Sequence, residues 1–541
     1  MSQGLAPRLL LLVAAIVGLM AVPLAVNPNV HLRADAMSNT ALAHAVRRHG
    51  IPPRDPYLAG QPLHYHWAYN AAAAGLSALS GLEPLTVMVW LGPLGLGVML
   101  LGVARLARWL GAGQRGAALA VVLAVVGLNG WGWLILAARW MGGQVGVAES
   151  LSRDVSDFLL SVVHGYDMRI GFLATKALLA TPYIWTLAAL PFAVDAMLRW
   201  VRGARWPHAV AAVVAGALAA YANLLVGTAL LGLLAAGLVL WAWAHRRADG
   251  GRATRRALAG LGLVAASALL VLPYVAVAVG QAAQREALVT LGWPDAWHLR
   301  GLVVGLLPLW ACVGLLGLRG RAGGRWVLVL AGAFAAAFLV VRAVDEVHVK
   351  FLSMIAVLLS VYVGHRSAGL ARWRRVALWV AAATAAPTTL LGVVDHVLAP
   401  DVVRVSEGER GVFAWIAEHT PQDTVVVADG RSTLVPILAR RDLYVPDRVG
   451  FHRAGRYDPA VWARRSARMR RLYKEGEVVP VLRAITEEMG RPVVLITRTP
   501  FLRPRDPRLR LLRAAGTLRA WALEEERRLP PGAGAHAEAA R

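Results

Sequence analysis

Apolar runs near the length of a bilayer crossing recur from Leu9 to Val397, and no other feature of the sequence restricts the fold as strongly. Crossing the ~30 Å hydrocarbon core as a helix takes about 20 mostly apolar residues, because lipid offers no partner to a free backbone N–H or C=O. Only 16% of the 541 residues are charged and 57% are hydrophobic, against about a quarter charged in soluble proteins. Spans are predicted at 8–26, 85–104, 116–138, 171–198, 206–222, 224–244, 257–279, 299–318, 326–344, 349–366 and 376–398. After Pro400 the texture changes to short alternations of charged and apolar residues. The expected fold class is an α-helical polytopic membrane protein with about 11 transmembrane helices over 1–399, then a soluble α/β domain over 400–530 and a disordered tail at 531–541.

The net charge of +25 at first suggests a nucleic-acid partner, but its placement argues against one. Arginines cluster in short connections: Arg105, Arg108 and Arg115; Arg199, Arg202 and Arg205; and Arg246, Arg247, Arg252, Arg255 and Arg256. Arg319, Arg321 and Arg325, then Arg366, Arg372, Arg374 and Arg375, continue the series. Short basic connections remain on the cytoplasmic side and meet anionic headgroups, so the expected partners are membrane lipids and no nucleic acid. Parity then settles two stretches. Ala209–Ala244 joins two basic connections and must cross twice, turning near Asn223, whereas Ala68–Leu79 cannot be a full span and is placed at the interface or re-entrant. The remaining connections, 27–84, 139–170, 280–298 and 345–348, fall on the outer face together with the domain after residue 399. The expected location is therefore the inner or plasma membrane, multi-pass, with a cytoplasmic N-terminus and an extracytoplasmic C-terminal domain. A cleaved signal peptide ending at Val22-Pro-Leu-Ala25 is a competing reading of the first run, and it leaves the first outer loop outside. The lone cysteine, Cys312, rules out an intrachain disulfide.

Ionisable residues gathered at loop–helix junctions on one face are the default site of function in a membrane protein. In the outer loop 27–84, Asp35 follows the first span by about eight residues, so its carboxylate lies near headgroup level. There it can take a proton from a hydroxyl while remaining in reach of a lipid-borne substrate; capping the following helix is the plainer role. Asp55, between Arg54 and Pro56, reads as a turn former. His64, Tyr65 and His66 open the next helical stretch and suit substrate contact or an ordinary interfacial role. With Asp35 the two histidines have the donor types for a divalent metal, but no fixed spacing indicates one, and the cofactor stays unassigned. The second outer loop offers Arg169, with Lys176 just inside the next span, either snorkelling to the surface or facing a lipid-carried phosphate. Asp345, Glu346, His348 and Lys350 crowd a connection between two spans, where they must pair or line an aqueous cavity. Phosphate recognition by His348 and Lys350 is the preferred use, and an Asp345–Lys350 pair is the structural alternative. The sequence contains no P-loop, dinucleotide fingerprint, HExxH or GxSxG pattern, which removes most soluble enzyme classes.

Beyond Gly411 the chain reads as helix to His419, strand at Thr424–Ala428, strand at Pro492–Ile496, a third at Leu518–Leu523, and a basic helix at Val461–Lys474. That helix fits either a solvated face or contact with anionic headgroups.

Gly50-Ile-Pro-Pro-Arg-Asp-Pro-Tyr-Leu-Ala-Gly60 followed by His64-Tyr-His-Trp67, with the tail segments Trp415–Val427 and Ala439–Tyr444, resembles the GT-C superfamily of membrane glycosyltransferases. The likeness is to the bacterial branch with a Tyr-rich first outer loop, here His-Tyr-His, and with an acidic pair, here Ala34-Asp35. The resemblance implies a polyprenyl-phosphate sugar donor, an extracytoplasmic acceptor, inverting transfer, and an acidic base that maps onto Asp35. Two other classes remain open from the residues alone. A transporter or flippase of lipid-linked saccharides predicts mid-span polar residues and an inverted repeat, and the chain has only Asn129, Asn223 and scattered Gly/Pro breaks. A non-catalytic envelope-assembly protein predicts outer loops tolerant of substitution.

Overall fold

A computed structural model describes residues 5–27, 34–63, 65, 67–143, 177–203, 205–245, 251–279, 289–316, 322–343, 349–398, 405–428, 432–446, 458–498 and 506–526. The chain divides into two compact units, one formed by the described residues of Met1–His31, Val89–Ala276 and Ala287–Val402, the other by those of Leu32–Met88, Val277–Glu286 and Val403–Arg541.

The first unit is helical and multi-pass. Its elements are α1 (Pro7–Val26), most of α4 (Pro84–Trp109), α5 (Gln114–Val126), α6 (Gly132–Met141), α7 (Tyr183–Gly203), α8 (Trp206–Ala222), α9 (Leu224–His245) and α10 (Arg252–Val279). Strand β1 (Val289–Leu291), α11 (Ala296–Val304), α12 (Leu307–Leu316), α13 (Ala322–Val340), β2 (Val341–Ala343), α14 (Lys350–Arg366) and α15 (Arg372–Leu398) complete it. Among the described residues, seven helices, α1, α4, α7, α9, α10, α14 and α15, are long and apolar enough to cross a bilayer, and α11 with α12 forms an eighth candidate bent by 59°. The shorter α5, α8 and α13 occupy the remaining predicted positions.

Besides the bent 299–318, three predicted spans take a different form. Residues 116–138 break into α5 and α6, because Gly127-Leu-Asn-Gly-Trp131 turns the chain, with Asn129 at φ 54° and its N–H donating to the Gly305 carbonyl at 2.6 Å. In 171–198, residues 171–176 lie outside the described set and α7 begins after Pro182, whose missing N–H suits a helix start. In 326–344 the helix stops at Val340 and the chain becomes β2, pairing antiparallel with β1 from Val289↔Ala343 to Leu291↔Val341. Arg342 fixes that turn, donating to the carbonyls of Trp293 at 2.6 Å and Leu339 at 3.0 Å.

Outward-facing Leu11, Trp206, Leu269 and Leu272 are exposed in this unit, the reverse of what water tolerates over so many helices. Inside, α14 is buried along almost its whole length and packs against α5, α7, α12 and α13. A helix apolar on every face belongs at the centre of such a bundle.

The second unit holds α2 (Ala34–His49), α3 (Ala68–Ser80), α16 (Glu407–His419), β3 (Val425–Ala428), β4 (Asp442–Leu443), α17 (Pro459–Lys474), α18 (Val478–Met489), β5 (Val493–Arg498), β6 (Leu509–Ala515) and β7 (Leu518–Leu523). The sheet order is β4-β3-β5-β7-β6, parallel across β4-β3-β5 and antiparallel across β5-β7-β6. The period-2 alternation of strand side chains divides its core in two. Val426, Ala428, Val494 and Ile496 face α16 residues Val412, Phe413 and Ile416, while Val425, Val427, Val493 and Leu495 face α18 residues Val481, Leu482 and Ile485. Ser406 caps α16 in a complete capping box with Glu409. The predicted tail at 531–541 lies outside the described residues.

Candidate active site

The helix that carries Asp35 is built for both of its ends. Residues 34–49 are rich in alanine, a strong helix former, with Asp35 in the first turn and Arg47, Arg48 and His49 in the last. That order complements the helix dipole. The middle of α2 is enclosed: Met37 and Ala41 enter the core beside Phe413, Trp415, Leu434 and Val435. Asn70 on α3 donates from Nδ2 to the Asn39 carbonyl and Oδ1, each at 3.0 Å. Asp35 itself is exposed. Its position satisfies the plain role of starting a helix and leaves its carboxylate open to solution.

The loop after α2 is folded onto the sheet. The Asp55 carboxylate accepts from the Tyr57 N–H at 2.7 Å, a turn of the kind Asp favours. Residues 56–59 then run along the free edge of β4: the Leu443 N–H donates to the Pro56 carbonyl and the Ala59 N–H to the Leu443 carbonyl, both at 2.8 Å. Tyr57 enters one half of the core, and Leu58 and Ala59 enter the other. An open sheet edge is a liability, and here residues 56–59 cover it.

Two charge clusters lock this docking. Asp442, with only 3% of its side chain exposed, accepts from Arg48 Nη2 at 2.6 Å and meets His49 Nε2 at 3.0 Å, with Arg491 Nη1 at 3.9 Å. Burial pushes the Asp442 pKa up, but hydrogen bonding to His49 and the Arg48 charge outweigh it and hold the carboxyl below its ordinary range. Glu488 binds Arg465 at 3.0 Å and also pairs with Arg468, while Arg465 Nη1 donates to the carbonyls of Ala59 at 2.9 Å and Tyr444 at 3.0 Å. Two arginines of the basic helix thus turn toward the protein. His44, inside α2, has its pKa lowered to about 3 by burial first and then by the charges of Arg48, Arg440 and Arg47.

Of the residues singled out from the sequence, Asp35 and Tyr65 belong to this second unit, and Tyr65 is half-buried. Lys350 belongs to the first unit, at the start of α14. Its ammonium lies 5.4 Å from the Tyr183 ring centroid, and the buried Tyr183 hydroxyl donates to the Lys350 carbonyl. His64, His66, Arg169, Lys176, Asp345, Glu346 and His348 lie outside the described residues. Among the described residues no trio of His, Cys, Asp and Glu is grouped as metal ligands would be. Sequence reasoning did not single out Asp442, and it read Arg465 only as one arginine of the basic helix, solvated or on headgroups. The Ala439–Tyr444 segment marked the region of the first, but nothing local pairs it with Arg48.

No model of a known protein family matches the chain, and no curated protein sequence matches it. Solved structures do. Together with the helix bundle and the separate sheet unit, they show that the chain shares its fold with GT-C membrane glycosyltransferases. ArnT from Cupriavidus metallidurans bound to undecaprenyl phosphate aligns with TM-score 0.56 at 17% identity, over 94% of this chain and 98% of that one. The Archaeoglobus fulgidus oligosaccharyltransferase aligns with TM-score 0.52 at 12% identity, over 91% of this chain and 69% of that one. The mycobacterial arabinofuranosyltransferase AftD aligns with TM-score 0.55 at 15% identity, over 96% of this chain and 40% of that one.

Proposed function

We propose that this protein is an inverting membrane glycosyltransferase that moves a sugar from a polyprenyl-phosphate donor to an acceptor at the extracytoplasmic face. The observation that carries the reading is an exposed carboxylate, Asp35, at the head of a helix fixed in the outer-loop body of a GT-C fold. Two proteins of similar fold are solved with undecaprenyl phosphate and with dolichol-phosphate bound, which supports a lipid phosphate as the carrier here.

In the proposed step, Asp35 takes the proton of an acceptor hydroxyl as its oxygen forms a bond to the anomeric carbon. The carbon–oxygen bond to the lipid phosphate breaks, and polyprenyl phosphate leaves with both electrons of that bond. A single displacement from the opposite side inverts the anomeric centre. Lys350, His348, Arg169 and Lys176 are assigned to the phosphate, whose growing negative charge fixed cations stabilise more in the transition state than in the ground state. His64, Tyr65, His66, Asp345 and Glu346 are assigned to sugar and acceptor hydroxyls.

The test uses the full chain in liposomes with radiolabelled undecaprenyl-phosphate hexoses and pentoses and an envelope extract as acceptor. The native chain is expected to move label out of the lipid phase, and Asp35→Ala to abolish this while inserting normally. Retained turnover in that variant removes Asp35 from the mechanism. Movement of the labelled lipid across the bilayer without covalent change would make the protein a flippase instead.

A further inference from the structure

We propose that Asp442, on the C-terminal sheet, is a positioning residue for the outer-loop helix α2 and, through that helix, for Asp35. The inference rests on the reading of Asp35 given above. All the contacts it uses lie within one compact unit.

Apolar packing alone under-determines how a helix lies. Met37 and Ala41 bury α2 against α16 and the 434–439 segment, and such contacts are non-directional, so they permit small rolls and slides. At the C-terminal end of α2, Arg47 Nη1 reaches Ser77 Oγ only at 3.5 Å, and the two shorter directional contacts converge on a single carboxylate. Asp442 accepts from Arg48 Nη2 at 2.6 Å and faces His49 Nε2 at 3.0 Å. Arg48 Nε and Nη1 are buried and make no hydrogen bond among the described residues, so Asp442 is what compensates that guanidinium. Without it a buried charge is left unpaired, and the helix end must shift to rehydrate it.

The geometry turns that shift into a displacement at the other end. Asp35 and Arg48 are thirteen positions apart on one helix, or about 20 Å at the α-helical rise. A tilt of about 5° over such a lever moves its far end by nearly 2 Å, and misplacement by about 1 Å is enough to cost a reaction roughly a hundredfold. Strand β4 is also where residues 56–59 are hydrogen-bonded. One two-residue strand therefore sets the tilt of α2 and the path of the loop that follows it.

The experiment compares native full-length protein with Asp442→Asn and Asp442→Glu in liposomes, using the labelled lipid-phosphate sugars. For Asp442→Asn the expected result is a kcat lowered about 10- to 100-fold, donor KM within about twofold, and partial recovery in Asp442→Glu. Combined with Asp35→Glu, which keeps a carboxylate but moves it, Asp442→Asn is expected to be non-additive. Additive losses would mean that Asp442 acts elsewhere. Amide hydrogen exchange supplies a readout independent of activity: residues 34–46 are expected to exchange at least about tenfold faster in Asp442→Asn, with β5–β7 unchanged. Unchanged exchange in α2, or equal acceleration across the whole unit, overturns the proposal. Faster exchange in α2 with full turnover in Asp35→Ala would leave the clamp standing and reject the catalytic role of Asp35.

Discussion

The two units solve the same packing problem in two solvents. In the helical unit the surface is apolar, so bringing two helices together removes little apolar area from water and contact must come from close backbone approach. Gly116 and Gly364 show it reciprocally: a Cβ on either would lie 2.5 Å from the carbonyl oxygen of the other. A Cβ on Gly227 would lie 2.3 Å from Ala220 Cα. In the α2–sheet unit, two sheet faces take up apolar side chains, and charge pairs at the rim fix orientation. Small residues close the helix contacts of the first unit, where charge pairing centres on Asp195 with Arg105 at 2.9 Å and Arg199 at 2.7 Å, and directed charges set the second in register. Ion pairs are affordable where water surrounds the unfolded alternative, whereas lipid penalises any that open.

Substitutions that exchange one solution for the other should break this contrast. The largest effect is expected from Gly364→Leu, which drives a side chain into the α5 backbone. Strain of about 3 kcal/mol or more should appear as loss of monodisperse protein in detergent, while Leu258→Ala on the exposed side of α10 should pass unnoticed. Next is Arg465→Met, which keeps the apolar stem but removes donors from Ala59, Tyr444 and Glu488. Because Arg468 still pairs with Glu488, a loss of about 2 kcal/mol is expected, with proteolysis near residues 54–62 reporting release of the loop.

Acid should have a smaller, graded effect on the second unit. The His44 pKa is lowered to about 3 from an ordinary value of about 6.5. Between those values the unfolded chain binds a proton that the folded one does not, so stability falls as pH drops through this window. Asp442 acts in the same sense at lower pH. Its folded pKa is depressed, so its contribution is present above the ordinary carboxylate range and lost as pH falls through the folded value. Thermal unfolding of the full chain followed from pH 7 to pH 4 should show this slope, and His44→Gln should flatten it.

How much was legible follows from the range of each interaction. Hydropathy located the spans because lipid imposes its length on every segment separately. It does not sense direction, and so missed the turn at Asn129 and the 59° bend between α11 and α12. The strands at 425–428, 493–498 and 518–523 showed as apolar runs. Strand β6 was hidden by Arg510 and Arg513 and by a register shift between Leu511 and Arg513, and β4 has only two residues. Asp35 was legible as a carboxylate just beyond a span. Its attachment was not, because Arg48 and Asp442 are separated by 394 positions and each reads locally as an ordinary surface charge.

The central claim is that α2 and the C-terminal sheet share the extracytoplasmic compartment where the sugar is transferred. In a Cys312→Ser background, single cysteines placed at the exposed positions 35, 423 and 115 can be treated in intact cells with a membrane-impermeant maleimide. The account predicts labelling at 35 and 423 and none at 115 until the membrane is opened. Labelling of 35 and 423 from opposite sides, or of 115 alone in intact cells, would contradict it.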